Sequence, residues 1–223
     1  MKGSIALSTP PAPPKLDRQA EIHEVLEARW STRAFSVRPV EPAAIVSLFE
    51  AARWAPSSAN EQPWQYVAAT KEDLPVYNLL LESMSENNRR WASAAPLIIL
   101  ALARTTYSRT GKPNRHSWYD LGQSVASLVF EATTRGLMVH QIGGFDPERI
   151  LRGYQVPDGV EPVVLLAVGY PGDPESLPEE LRQRERLPRS RKPLGSLVFT
   201  ESWGAPSHHV NVEVNKFSKP SIN

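Results

Sequence analysis

Arginine pairs near the two ends of a 223-residue chain are its most pointed chemical features. The first lies in Arg29-Trp30-Ser31-Thr32-Arg33. In an extended loop Arg29, Ser31 and Arg33 point the same way. Guanidinium forks beside a hydroxyl suit the oxygens of a phosphate. The second is Arg189-Ser190-Arg191, whose alternate spacing lets both side chains reach one anion. It falls within a basic run, Arg182 to Lys192, that holds six basic residues and one Glu. Each pair by itself also reads as a solvated basic surface, the first as cations at the negative end of a helix. The basic run contains no aromatic residue for base stacking, so a nucleic-acid interface fits it poorly.

Two uncharged segments lie between these pairs. Ala55-Pro56-Ser57-Ser58-Ala59-Asn60-Glu61-Gln62-Pro63-Trp64 places two serines, an Asn and a Gln in a loop between prolines. Neutral donors and acceptors at that density can read the edge of a planar heterocycle. They also describe a turn whose Ser and Asn bond their own backbone. Gln141-Ile142-Gly143-Gly144-Phe145-Asp146 carries paired glycines, which let a ligand approach free backbone N–H groups. A plain strand-to-helix turn capped by Asp146 is the alternative. His23, His116 and His140 show no metal-ligand spacing with carboxylates; the adjacent pair His208 and His209 near the C-terminus reads as part of a tail rather than a ligand set, and no metal site is expected. There is no GxSxG, HExxH, Walker A or GxGxxG sequence. With no acid–base pair and no nucleophile motif, catalysis requires a cofactor.

The chain that must position these segments is of single-domain length. Hydrophobic residues make up 41%, enough for a real core. Lys+Arg number 25 and Asp+Glu 24, and the net charge of +1 argues against a dedicated nucleic-acid binder. Cysteine is absent, which excludes a disulfide scaffold, a thiolate metal site and a Cys nucleophile, and fits a reducing cytoplasm. The longest apolar run, Leu97 to Ala103, is far short of a membrane span, and no secretory signal is apparent. Four of the 21 prolines cluster at Pro10, Pro11, Pro13 and Pro14, in what reads as a flexible N-terminal arm over residues 1–16. A domain over residues 17–200 and a tail over 201–223 complete the division.

Periodicity predicts helices over Asp17 to Arg29, Pro42 to Trp54, Leu74 to about Asn88, Leu121 to Arg135 and Pro147 to Gly153. Strands are predicted over Trp64 to Thr70, Leu97 to Leu102, Leu137 to Gln141, Val163 to Val168 and Ser196 to Thr200. The run Leu97 to Leu102 is continuously apolar and should be buried on both faces. Alternating helices and strands point to an α/β or α+β sandwich with a central sheet.

Taken together, these pieces resemble the FMN-dependent nitroreductase family. The resemblance runs from about Ile22 to Phe199. It is carried by Arg29 to Phe35, Ala52 to Trp64, Asp120-Leu121-Gly122-Gln123, Gly143-Gly144-Phe145-Asp146, Val168-Gly169-Tyr170-Pro171 and Arg189 to Leu194. It implies an α+β three-layer sandwich with a central, mostly antiparallel sheet flanked by helices, in an intertwined homodimer. Arg29, Trp30, Ser31 and Arg33 match the family's first flavin motif, and Arg189 and Arg191 its C-terminal phosphate-binding pair. Pro56, Ser57, Ser58 and Asn60 match a loop that touches flavin from the other subunit. Gln141, Ile142, Gly143 and Gly144 match the segment along the flavin ring. Relatives often offer an Asn before the strand corresponding to Leu97 to Leu102; Asn87 and Asn88 lie nearby, in uncertain register.

The implied activity is ping-pong transfer of hydride from NAD(P)H, through FMN, to a nitroaromatic, quinone or similar small acceptor, with no catalytic side chain required. A reductive dehalogenase, a flavin-consuming oxygenase or an azole-forming oxidase would share the motifs. A non-redox phosphate- or nucleic-acid-binding protein is the more distant alternative. The polar segment Arg104 to Tyr119 is long enough for a lid, and Trp118 and Tyr119 are candidate substrate contacts. Packing at the start of the central helix is the equal alternative for both.

Overall fold

The computed structural model describes residues 13–210. Most of the expected N-terminal arm, and the tail beyond Val210, lie outside the described residues. Among those described, four strands and seven α-helices follow one another. The elements are α1 (Glu24–Ala28), α2 (Pro42–Arg53), β1 (Trp64–Thr70), α3 (Leu74–Ser83), α4 (Glu86–Ala92), β2 (Leu97–Arg104), α5 (Ser117–Thr134), β3 (Met138–Ile142), α6 (Pro147–Gly153), β4 (Val160–Gly169) and α7 (Glu179–Arg186). The sheet has the order β1-β2-β4-β3, and every pairing is antiparallel.

β2 is apolar along nearly its whole length because both of its faces are covered. Leu97, Ile99, Ala101 and Ala103 pack with α2 and α5, through Leu48, Leu121 and Leu128. Ile98, Leu100 and Leu102 face the other way, onto Tyr77, Leu80, Trp91 and Ile150. β4 alternates in step, with Leu166 and Val168 on the first side and Leu165 and Ala167 on the second. The result is the expected three-layer α+β sandwich.

Several boundaries differ from the periodic pattern, each for a local reason. The first helix is confined to Glu24–Ala28. Asp17 N donates to Arg189 O at 3.0 Å and Arg189 N to Lys15 O at 2.8 Å, and this pairing holds the chain extended. The last residues of the expected arm are thus tied to the C-terminal segment. The helix expected from Leu74 to Asn88 breaks after Ser83, where Met84 bridges Phe145 and Ser85 N donates to Gly144 O at 2.9 Å. The central helix starts four residues earlier than expected, at Ser117. Ser196 to Thr200 is not a strand: Leu194–Ser196 is a 3₁₀ turn, and Phe199 bridges only Pro206. Residues 201–210 therefore fold back on 198–200 rather than trailing away, and Ser207 is buried.

Two features fix the segment after Arg29 onto this frame. Gly172 N donates to Ala34 O at 2.8 Å, and Ser36 N to Tyr170 O at 2.9 Å. A Cβ at Gly172 would lie 2.5 Å from the Phe35 carbonyl carbon, so only glycine permits the approach. On the opposite side, His140 of β3 donates from Nδ1 to Thr32 O at 2.8 Å, and its ring lies 4.3 Å from that of Trp91, tilted by 37°. Burial, then the nearby Arg33 and Arg29, lower the His140 pKa to about 4 from 6.5.

The folded chain therefore binds the His140 proton only near pH 4, whereas the unfolded chain binds it near pH 6.5. The stability contributed by neutral His140 is complete above the unfolded value and is lost as pH falls towards the folded one. The loss approaches about 1.4 kcal/mol per pH unit at most. Thermal melts from pH 7 to 4 should show this slope in the wild type and a shallower one in His140→Gln. Equal slopes would contradict the assignment.

Candidate functional site

The two arginine pairs meet. Arg29, Ser31, Arg189 and Arg191 line a cavity of about 870 Å³ together with Gln141. Its apolar wall is formed by Leu26, Val129 and Phe130. An adjoining pocket of about 290 Å³ shares Arg29, Ser31, Arg189 and Arg191 and adds Trp30 and Arg33. Burial lowers the pKa of Arg29, with Arg191 and Arg189 as further causes, and burial and then Arg191 lower that of Arg189. These cations are close enough to repel one another while partly withdrawn from water. An anion between them would relieve that repulsion.

The guanidiniums do not all play the same part. Arg189 Nη1 donates to Arg29 O at 2.8 Å, and its Nε to Pro14 O at 3.0 Å. Arg189 thus joins the segments at Pro14 and Arg29 to the stretch after α7 and has fewer donors left for a ligand. Arg29 Nη1 makes a long 3.4 Å contact with Ser31 Oγ, and Arg191 Nη1 donates to the adjacent Ser190 O at 2.7 Å. The rest of the basic run is divided from them. Arg182, Arg184 and Arg186 pair with Glu175, Glu179 and Glu180 on or beside α7.

Glu185 holds the turn between Arg29 and Arg33. It is only 8% exposed. Its Oε1 accepts from Trp30 Nε1 at 3.3 Å and from Thr32 Oγ1, and its Oε2 accepts from Arg33 N at 2.9 Å. The Trp30 indole is therefore committed to the frame, although it borders the smaller pocket. Neither Glu185 nor His140 was identifiable as a site residue from the sequence. Glu185 is the one acid in a basic run, and its inward turn shows only in the pairing of Leu181 and Glu185 on the buried face of α7.

β3 delivers its residues by alternation. Gln141 lines the cavity, whereas Ile142 is buried in the opposite core and can offer a ligand only its backbone. Gly143 and Gly144 are exposed, and among the described residues neither N–H has a protein acceptor. A Cβ at Gly143 would meet nothing within 4 Å, so the turn is open on that side. A Cβ at Gly144 would lie 2.9 Å from Asn88 Nδ2. Asn88 donates to Gly144 O at 3.3 Å and is the asparagine that the fold brings to this turn. Its register was unreadable because the break between α3 and α4 was not foreseen.

The loop of Pro56, Ser57, Ser58 and Asn60 does not line either cavity within one chain. It is nevertheless tightly held. Ser58 N donates to the buried Asp120 at 3.0 Å, Gln62 N to Ser57 Oγ at 3.0 Å, and Ser108 N to Glu61 at 2.6 Å. These bonds maintain left-handed backbone at Ala59, Asn60 and Gln62, with φ between 53° and 54°. Such conformations cost about 1 kcal/mol or more each in non-glycine residues. Within the expected lid, Thr106 bridges Pro113 and residues 117–119 form the first turn of α5. Trp118 donates to Glu161 at 2.9 Å; it and Tyr119 are exposed and lie outside both cavities. Among the described residues no cluster of metal-ligating side chains is found, and no helix is long and apolar enough to cross a membrane.

The site therefore offers cations at one end, an apolar wall, and free backbone donors in the turn that follows β3. That arrangement fits a ligand with an anionic terminus and an extended body. Comparison with known proteins agrees with the geometry. The nitroreductase family model matches residues 26–170. A solved structure described as an oxidoreductase containing FMN superimposes with a TM-score of 0.79 at 30% identity, over 84% of this chain and 96% of that one. An uncharacterized 15.4 kDa protein of Mycolicibacterium smegmatis is 35% identical over 126 residues, which is 56% of this chain and 84% of that protein. Iodotyrosine deiodinase 1 of Sus scrofa is 26% identical over 211 residues, covering 82% of this chain and 69% of the deiodinase. On the fold, the order of the motifs and the extent of the family match, the chain belongs to the nitroreductase family of oxidoreductases.

Proposed function

We propose that the protein is an FMN-dependent oxidoreductase that takes hydride from NAD(P)H and passes electrons to a nitroaromatic, quinone or similar small acceptor. The observation that carries this reading is the meeting of Arg29, Arg189 and Arg191 in one cavity that Gln141 of β3 also lines. Bound there, FMN supplies two-electron chemistry at its N5. Arg29 and Arg191, with Arg33 beside them, would hold the phosphate. Arg189 would keep the segments that carry Pro14 and Arg29 together around it. The free N–H groups of Gly143 and Gly144 would donate to the ring edge, where a donor favours the reduced state. No side chain is required to act as acid or base, since hydride moves between cofactors and solvent can supply protons.

We further propose that the working unit is a homodimer. The serine loop lies outside the cavities of its own chain, so it reaches a flavin only in a second copy. Exposed apolar side chains at Trp203, Val37 and Trp54 offer surface for that contact. A location in the cytoplasm accords with the lack of cysteine.

The similarity to iodotyrosine deiodinase 1 favours a second reading, reductive removal of halogen from a small aromatic, at the same flavin site. Halide release from a halophenol, set against reduction of a nitroaromatic under identical conditions, separates the two.

Arg191→Ala should weaken FMN binding by about 1.5–3 kcal/mol, roughly ten- to a hundredfold, through loss of a charge-assisted contact. Fluorescence titration checks this, and unchanged affinity would remove Arg191 from the phosphate site. Light scattering of the FMN-loaded protein should return twice the 24.8 kDa chain mass. A monomer that holds FMN tightly would contradict the dimer.

Anaerobic mixing with NADH or NADPH alone should bleach the flavin absorbance. Initial rates at several fixed acceptor concentrations should then give parallel double-reciprocal lines. If both nicotinamides leave the bound flavin oxidised, the reductase reading fails while the family assignment stands.

A further inference from the structure

Glu185 is a buried carboxylate in a strongly basic neighbourhood, yet its hydrogen-bond partners are neutral groups. Among the described residues it forms no ion pair with a Lys or Arg side chain. Its partners are Trp30 Nε1, Thr32 Oγ1 and Arg33 N, three donors on one turn that lies 152 to 155 residues earlier in sequence. The turn is held from its other side by His140, which donates to Thr32 O at 2.8 Å. Arg29 and Arg33 project from the two ends of the pinned stretch and border the same small pocket as Arg191.

We propose that Glu185 is the positioning residue of the phosphate end of the site: by holding Trp30, Thr32 and Arg33 it sets the directions from which Arg29 and Arg33 meet the anion beside Arg191. The inference rests on the FMN reading above. The chemistry of the contact makes it specific to a carboxylate. Both Glu185 oxygens accept, one from two donors and the other from a third. A glutamine of the same size has only one accepting oxygen, and its NH₂ would face either the Trp30 and Thr32 donors or the Arg33 N–H. A donor set against a donor displaces the turn, and with it Arg29 and Arg33, while the distant glycine turn after β3 is left in place. The contact should therefore govern affinity for the phosphate and not affinity for the ring.

The test compares FMN with riboflavin, which has the same ring and ribityl chain and no phosphate. Full-length wild type, Glu185→Gln and Thr32→Val are freed of flavin and titrated with each, following flavin fluorescence. Wild type should bind FMN much more tightly than riboflavin. Glu185→Gln should lower that preference about tenfold or more, the scale of a lost charge-assisted hydrogen bond. Its riboflavin affinity should stay within about twofold of wild type, because the Gly143-Gly144 turn proposed to meet the ring is untouched. Thr32→Val, which removes one of the three donors at nearly constant volume, should lower the preference by a smaller factor. If FMN and riboflavin affinities fall together in Glu185→Gln, Glu185 serves only the frame and the proposal is overturned. Should that variant not fold, an unchanged preference in folded Thr32→Val overturns it equally. A wild type that binds riboflavin as well as FMN overturns the phosphate reading itself. The two failures are thus distinguished by which protein lacks the preference.

Discussion

Like charges held together from opposite ends of the chain are the constraint around which this molecule is arranged. Arg29 follows the first helix, whereas Arg189 and Arg191 follow the last. Left to Coulomb repulsion, the two segments would separate. They are kept together without ion pairing between the segments: Arg189 bonds to the Arg29 and Pro14 carbonyls, Lys15 and Asp17 pair with Arg189 through the backbone, and Glu185 grips Trp30, Thr32 and Arg33. Hydrogen bonds to backbone and neutral side-chain groups thus position a cationic cluster, and among the described residues no carboxylate forms an ion pair with Arg29, Arg189 or Arg191. That is an arrangement preorganised for a multiply charged anion. It also makes the C-terminal segment part of the site rather than an appendage to the sandwich.

The sandwich supplies what such a cluster needs behind it. β2 and β4 are covered on both faces inside the sheet, and β3, one of its two edge strands, borders the cavity. Its alternation sends His140 towards Trp91 and the 30–33 turn, Gln141 towards the cavity, and Ile142 into the core. Beyond Ile142, the break between α3 and α4 returns Ser85 and Asn88 to Gly144 O. The Gly143-Gly144 turn is thereby held from one side and open on the other. One short strand therefore links the cation end of the site to its free backbone donors, and both are referenced to the same core.

Much of this was legible in the residues themselves. The apolar run from Leu97 and the amphipathic stripe of the central helix announced a doubly covered sheet, because burial on two faces leaves no other composition possible. The spacing of the arginine pairs marked them as candidates for one shared site, and the fold brings Arg29, Arg189 and Arg191 to one cavity. What escaped was long-range and polar. That Glu185, alone among the acids of α7, turns inward depends on where the helix docks, which local periodicity does not record. The extended course of Lys15 to Asp17 is imposed by Arg189, and the helix at Leu74 ends because Met84 and Ser85 have partners beyond it. In each case a tertiary hydrogen bond overrode local propensity. The serine loop was recognised by composition, but its strained geometry and its distance from the cavity of its own chain could not be read from it.

The account turns on whether this cavity holds a phosphorylated flavin. The direct measurement is the absorbance spectrum of the purified protein, followed by mass analysis of the chromophore released on denaturation and its quantity relative to protein. One FMN per chain is the predicted result, either as isolated or after reconstitution. A protein that is colourless, and that takes up no FMN at concentrations well above those at which related flavoproteins saturate, would contradict it.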